Sequence, residues 1–367
     1  MQTKKKELIF ESYDLNGLIL KNRMVMAPMT RCRANNPRHL VNELITRYYL
    51  QRVTAGLIVT EGIFVSPEAV GALNAPALYS QEQIEAWKSL TTAVHEKEGK
   101  IFAQLWHTGS HSHPDLLEGR LPLAPSAVNP HVQAFTPDGF KDTVVPQEMT
   151  VEDIKRTIGD FKQAAINAFS AGFDGVELHG ANGFLLQQFF NKSSNQRTDL
   201  YGGSVENRAR ILFDILDAIK EVADIGRVGV RLSPSLTGFL GVVADDETIS
   251  LYDYIVKKLN GYGLAYLHLL RPFTDVSKDD NVVKDVAHHY RPLFKGTIII
   301  NGGFTKETAD QVLADGDADL VSFGLLFLAN PDLVKRFERN APLNQPNRST
   351  LYTSGEAGYT DYPTLDK

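Results

Sequence analysis

The chain has 367 residues, of which 43% are hydrophobic, enough to bury one large core or two medium ones. Lys plus Arg total 38 against 44 for Asp plus Glu, a net charge of −6, which argues against a nucleic-acid partner or an anionic membrane surface and for a small ligand. Cys32 is the only cysteine, so an intrachain disulfide and a thiol cluster for zinc or iron–sulfur are both excluded, and a reducing cytoplasm is the expected location. The run Lys4, Lys5, Lys6 opens like a signal peptide, but Glu7 and Glu11 interrupt what would have to be an apolar segment, and no stretch is long enough to span a bilayer.

In chain order, Leu8 to Leu20, with Asn16 and Gly17 between apolar pairs, reads as a β-hairpin that precedes the first strand and plugs the N-terminal end of the fold. Eight short apolar runs then alternate with helical stretches: RMVMAPM from Arg23, GLIVTEG from Gly56, KIFAQLWH from Lys100, GFDGVELHGA from Gly172, RVGVRLSP from Arg227, LAYLHLL from Leu264, GTIIINGGF from Gly296 and ADLVSFG from Ala318. Helix starts are marked by Thr150 before Glu152 and Asp153, by Ser204, by Thr305, and by Asn330 with Pro331 at the first helical position. Eight strands, each with a returning helix, predict a (β/α)8 TIM barrel over residues 1–367, with a doubly wound sheet as the alternative. Ser110 to Met149, rich in Pro and Gly and without helical periodicity, exceeds an ordinary βα loop and is expected to cap the C-terminal mouth of the barrel.

In such a barrel the site lies at the C-terminal strand ends. Those ends carry Thr30, Gly62, Gln104 and Trp106, His179 and Asn182, Arg231, Gly302 and Gly303, and Gly324. His179 ends an apolar strand, and Asn182 converges on it three positions later. His107, His111 and His113 lack an acidic partner at ligand spacing, so no metal is expected. No lysine stands at a strand end, which weighs against Schiff-base chemistry. Hydrogen-bond donors of several geometries, an arginine and two glycine turns after the last two strands suit a planar heterocycle with a phosphate tail.

Those segments, together with SSNQRTDLYGGSVENRAR, FLANPDLV and YTSGEAGYTDYP, make the chain similar over essentially its whole length to the Old Yellow Enzyme family of FMN-dependent NAD(P)H oxidoreductases and ene-reductases, N-ethylmaleimide reductase among them. The resemblance implies FMN as cofactor and NADPH or NADH as reductant. It gives Thr30 and Gln104 bonds to the flavin ring and places Arg231 near N1 and O2, with Pro28, Met29 and Gly62 against the isoalloxazine. The phosphate falls to Gly302, Gly303, Gly324 and Leu325, and Trp106 and Tyr352 line the substrate face. His179 and Asn182 would polarise the carbonyl or nitro oxygen of an electron-poor alkene, which takes hydride at its β-carbon; maleimides, quinones and nitro compounds are the other acceptors implied. No GxGxxG fingerprint is present, as expected if the nicotinamide shares the acceptor's pocket. A monomer or a homodimer fits equally.

Two positions depart from the family pattern. Phe184 stands where a tyrosine usually supplies the proton to the α-carbon, which favours a quinone or nitro reductase with little ene-reductase activity as an alternative. Leu325 stands where an arginine usually meets the phosphate, predicting FMN that is retained but dissociates more readily. Ser110 also replaces a usual arginine. A redox-inactive flavin-binding protein is a third reading, opposed by Thr30, Gln104, His179, Asn182 and Arg231 all being in place.

Overall fold

The computed structural model describes residues 7–366, and the Lys4, Lys5, Lys6 run lies outside them. Strands β1 (Tyr13–Leu15) and β2 (Leu18–Leu20) form the expected hairpin, closed by Asn16 and Gly17, both at positive φ. Then come β3 (Met24–Met26), α1 (Glu43–Leu50), β4 (Leu57–Phe64), α2 (Gln81–His95) and β5 (Ile101–Trp106). The next segment holds β6 (Leu123–Ala124), β7 (Gln133–Thr136), β8 (Gly139–Asp142) and β9 (Gln147–Glu148). After it come α3 (Val151–Ser170), β10 (Gly175–Gly180), α4 (Leu185–Phe190), α5 (Val205–Lys220), β11 (Val228–Leu232), α6 (Thr248–Leu259), β12 (Tyr266–Leu270) and α7 (Val286–Tyr290). The chain ends with β13 (Ile298–Asn301), α8 (Lys306–Ala314), β14 (Leu320–Phe323), α9 (Leu325–Ala329) and α10 (Leu333–Arg339).

Strands β3, β4, β5 and β10 to β14 pair in parallel and close into a barrel, so the eight apolar runs are its eight staves and the (β/α)8 expectation holds. Thr150, Ser204 and Thr305 each accept the N3 backbone N–H of their helix, as expected of N-caps. The last helix is a correction: it starts at Leu333 rather than beside Pro331. Asn330 is engaged elsewhere, its Nδ2 donating to Leu326 O at 2.9 Å to close α9, and the Asp332 carboxylate is held by Arg336 Nε at 2.7 Å.

The barrel interior is layered, as alternating inward positions require. Its lower layers are apolar: Leu15, Leu18 and Leu20 of the hairpin pack with Leu57, Phe102 and Tyr266. Two strand glycines make room for the large rings. A Cβ at Gly175 would lie 2.4 Å from Phe102 Cζ, and one at Gly229 would lie 2.3 Å from Tyr266 Cε2. The segment after β5 forms a cap of two small sheets, β6 with β9 and β7 with β8. A bridge between Ala72 and Phe135 ties it to the loop after β4, and Arg197 Nη1 donates to Pro125 O at 2.9 Å.

Candidate active site

A cavity of about 530 Å3 opens at the C-terminal strand ends under the cap. Pro28, Met29 and Thr30 form one wall of it, with Gln104, Trp106 and His179 from β5 and β10 opposite. Asn182, Phe184, Leu325 and Tyr352 also line it, so most of the residues singled out in the sequence converge on one space.

His179 is 6% exposed. Its Nδ1 accepts the backbone N–H of Ala181 at 3.4 Å, which leaves the ring proton on Nε2. Burial, reinforced by the Arg231 charge, pushes its pKa down to about 3. It is therefore a neutral imidazole at pH 7, a hydrogen-bond donor rather than an acid. Asn182 takes the left-handed conformation (φ 60°), fixed by its N–H donating to Ser233 Oγ at 3.0 Å. Its Oδ1 is buried with no partner, so the carboxamide has bonding capacity to spare for a ligand. Gly183 is also at positive φ (74°), and a Cβ there would lie 2.6 Å from Leu240 O. Two left-handed residues in succession turn the chain so that Phe184 can cap α4. The Phe184 ring then stands edge-on to Trp106 (4.8 Å), His179 (5.0 Å) and His111 (5.4 Å) and brings no hydroxyl to the site.

Trp106 stacks on Phe64 at 5.1 Å, and its Nε1 is buried without a partner. Gly62 lies behind the indole: a Cβ there would sit 2.4 Å from Trp106 Cε3. Gly62, Gly302, Gly303 and Gly324 are not themselves in the cavity wall. Gly302 and Gly303 have φ of 126° and 68°, and Gly324 packs near Met29. Arg271 stands beside this turn, its Nη1 donating to Gly302 O at 3.3 Å, while Leu325 opens α9 without a charge.

Beneath the cavity lies a buried polar layer that reading by apolar runs missed. Glu177, fully buried, accepts from Gln104 Nε2 at 2.8 Å and from His268 Nδ1 at 2.7 Å. His268 Nε2 in turn accepts from Ser322 Oγ at 2.8 Å. Arg231 Nη1 lies 2.8 Å from His268 Nε2, and its Nη2 donates to Asn301 Oδ1 at 3.1 Å. Burial raises the Glu177 pKa, but His268 and Arg231 outweigh it and hold the carboxyl below its ordinary value, while burial pushes His268 down to about 4. The layer is therefore a carboxylate and a guanidinium around a neutral imidazole. Since a carboxylate only accepts, Gln104 must give it the amide nitrogen, which leaves Oε1 for the cavity. The Arg231 Nε is buried with no partner. Arg231 is not itself in the cavity wall, whereas Gln104 is; an amide oxygen in the wall and an unpaired guanidinium N–H in the layer beneath it fit a planar ligand that carries both acceptor and donor edges, as an isoalloxazine does. The signal for Glu177 and His268 was their inward alternation within apolar strands.

Arg31 and Arg33, also missed, fasten the C-terminal segment that carries Tyr352. Arg31 Nη2 donates to Gly358 O at 2.8 Å, and Arg33 reaches Thr350 O and Leu351 O at 2.9 Å each. His111 lines the cavity too, but burial pushes its pKa to about 4, and the Cys32 thiol is pushed up to about 12. Neither gives up a proton at neutral pH.

A family model described as the NADH:flavin oxidoreductase / NADH oxidase family matches residues 8–344. The chain is 42% identical over 362 residues to 12-oxophytodienoate reductase 1 of Oryza sativa subsp. japonica, covering 97% of this chain and 92% of that protein. It is 37% identical over 369 residues to 12-oxophytodienoate reductase 2 of Arabidopsis thaliana, covering 100% and 98%. Morphinone reductase superposes with a TM-score of 0.93 at 40% identity, covering 100% of this chain and 98% of that one. A structure of the same reductase with tetrahydroNAD gives 0.91 at 40% identity, covering 98% of each chain.

Proposed function

The chain belongs to the NADH:flavin oxidoreductase / NADH oxidase family, that of Old Yellow Enzyme, and from this we propose that it binds FMN and reduces electron-poor alkenes, maleimides, quinones or nitro compounds at the expense of NADPH or NADH. The observation that carries the reading is the neutral His179, with its proton on Nε2, beside the Asn182 carboxamide in the wall of one cavity.

Thr30, Gln104 Oε1 and Arg231 Nε would hold the flavin ring against Pro28 and Met29, and the turn at Gly302, Gly303 and Gly324, with Leu325 and the neighbouring Arg271, would meet its phosphate. FMN, when bound and reduced, supplies the hydride. His179 Nε2–H and Asn182 Nδ2–H would donate to the acceptor's oxygen, draw electron density from the β-carbon and hold the alkene for attack, while Asn182 Oδ1 can only accept, as from a nicotinamide carboxamide. The same pair would grip a nicotinamide carboxamide in the other half-reaction, a reading supported by the tetrahydroNAD bound to morphinone reductase. Phe184 offers no proton to the α-carbon, so water, or the Tyr352 hydroxyl that lines the cavity, completes the product. In FMN-loaded protein, His179→Ala and Asn182→Ala should each lower kcat/KM for 2-cyclohexenone by roughly 10²- to 10³-fold; a loss below threefold in both would defeat the assignment.

The absence of a hydroxyl at Phe184 favours a second reading, in which quinones and nitro compounds are the principal acceptors. A kcat/KM for a quinone at least 10³-fold above that for 2-cyclohexenone would select it.

A further inference from the structure

Six neighbouring staves of the barrel each send one polar side chain inward beneath the cavity: Gln104 from β5, Glu177 from β10, Arg231 from β11, His268 from β12, Asn301 from β13 and Ser322 from β14. They form a continuous belt. Glu177 Oε1 accepts from Gln104 Nε2 at 2.8 Å, and its Oε2 accepts from His268 Nδ1 at 2.7 Å. Ser322 Oγ donates to His268 Nε2 at 2.8 Å, Arg231 Nη2 donates to Asn301 Oδ1 at 3.1 Å, and Asn301 Nδ2 closes the run on the Ser322 carbonyl at 2.8 Å. Among the described residues, two side-chain atoms of the belt are left over: Gln104 Oε1, from a residue of the cavity wall, and Arg231 Nε, buried without a partner.

Glu177 decides what both of those atoms can do. A carboxylate accepts and cannot donate, so an ionised Glu177 allows the Gln104 amide one orientation, nitrogen inward and oxygen to the cavity. A neutral amide at position 177 would carry donors of its own and would let Gln104 turn its nitrogen outward. The belt also sets one carboxylate against one guanidinium around a neutral imidazole, so its net charge is zero. The cavity floor thus has a guanidinium's donor without a guanidinium's uncompensated charge. A flavin gains negative charge on reduction, and a floor of net charge +1 would hold the reduced ring too firmly for ready release of hydride.

We propose that Glu177 is a positioning residue for the flavin: through Gln104 it presents an acceptor to the ring's N–H edge, and by neutralising Arg231 it keeps the reduced ring a strong hydride donor. The inference rests on the reading of this cavity as an FMN site.

The test reads binding and potential rather than turnover. The ratio of affinities for reduced and oxidised FMN follows from the two-electron potential of bound against free flavin. A unit charge within roughly 10 Å is worth about tenfold or more at an effective dielectric constant near 20, so Glu177→Gln should raise that ratio by at least about tenfold, an upward shift of about 30 mV. Glu177→Asp keeps the charge and should stay within about threefold of native. A ratio unchanged or lowered in E177Q overturns the proposal. So does an E177D protein that moves as far as E177Q, because shape rather than charge would then be responsible. A second reading needs native protein alone and so survives a variant that fails to fold: 3-methyl-FMN, which lacks the N3 proton, should bind apoprotein at least about tenfold more weakly than FMN. Equal binding of the two overturns the orientation assigned to Gln104, and the proposal with it. Protein that shows both effects but reduces neither 2-cyclohexenone nor a quinone upholds the role of Glu177 and defeats the proposed acceptors, whereas protein that takes up no FMN defeats both.

Discussion

Gln104 Nε2 donates to Glu177 Oε1 at 2.8 Å inside the barrel, and that bond fixes which end of the amide faces the cavity. The same carboxylate is the counter-charge for Arg231. Removing one member of a buried charged network leaves the other unpaired, typically at about 3 to 5 kcal/mol. Glu177→Gln is therefore expected to lower unfolding free energy by a few kcal/mol at pH 7 in urea titrations. A change below about 0.5 kcal/mol would mean that the carboxylate does not compensate the guanidinium.

The barrel was legible in the sequence because its strands are buried on both faces and read as apolar runs, and because Thr150, Ser204 and Thr305 mark helix starts chemically. The polar layer was not, since Glu177 and His268 are single polar letters inside such runs, and only strand pairing brings positions 91 residues apart into contact. Arg31 and Arg33 escaped notice for a similar reason: they bind backbone carbonyls, which any sequence supplies. The start of α10 was misplaced because Asn330, a good cap by type, spends its amide on the preceding helix.

Acid should unfold this protein early. Burial holds His107 and His179 near 3 and His111 and His268 near 4, against an ordinary 6.5. The unfolded chain therefore takes up these protons as pH falls through 6.5 while the folded chain does not, and stability is lost over that range. Glu61 works the other way, because burial raises its carboxyl to about 7, so its contribution is present at low pH and lost as pH rises through 7. The histidines outnumber it. The net slope between pH 6.5 and 5 should be on the order of 2 to 3 kcal/mol per pH unit. Denaturant titrations that show constant stability across this interval would contradict the buried neutral histidines.

Phe184 packs edge-on to His179 at 5.0 Å, so a tyrosine in its place would carry a hydroxyl into the same crowded corner. Phe184→Tyr is predicted to raise kcat for 2-cyclohexenone by roughly 10²-fold or more while leaving quinone reduction within about threefold. An unchanged enone rate in single-turnover experiments would show that proton supply is not limiting.

Leu325 brings no cation to the glycine turn, where Arg271 donates to the Gly302 carbonyl and lies over the Phe304 ring. A charged hydrogen bond is worth about 1.5 to 3 kcal/mol, or ten- to hundredfold in affinity. Leu325→Arg should tighten FMN binding by that factor in equilibrium titrations of apoprotein, and native protein should lose FMN on extended dialysis. Full retention by the native chain would show that the turn suffices unaided.

On the proposed reading, electrons pass from a nicotinamide through bound FMN to an acceptor held at His179 and Asn182. The visible spectrum of FMN-loaded protein, recorded anaerobically through addition of NADPH or NADH and then of 2-cyclohexenone or a quinone, tests it most directly. The visible band of the oxidised flavin should bleach with the nucleotide and return with the acceptor. Protein that takes up FMN yet never bleaches with either nucleotide would contradict this transfer and leave a flavin-binding protein without redox function.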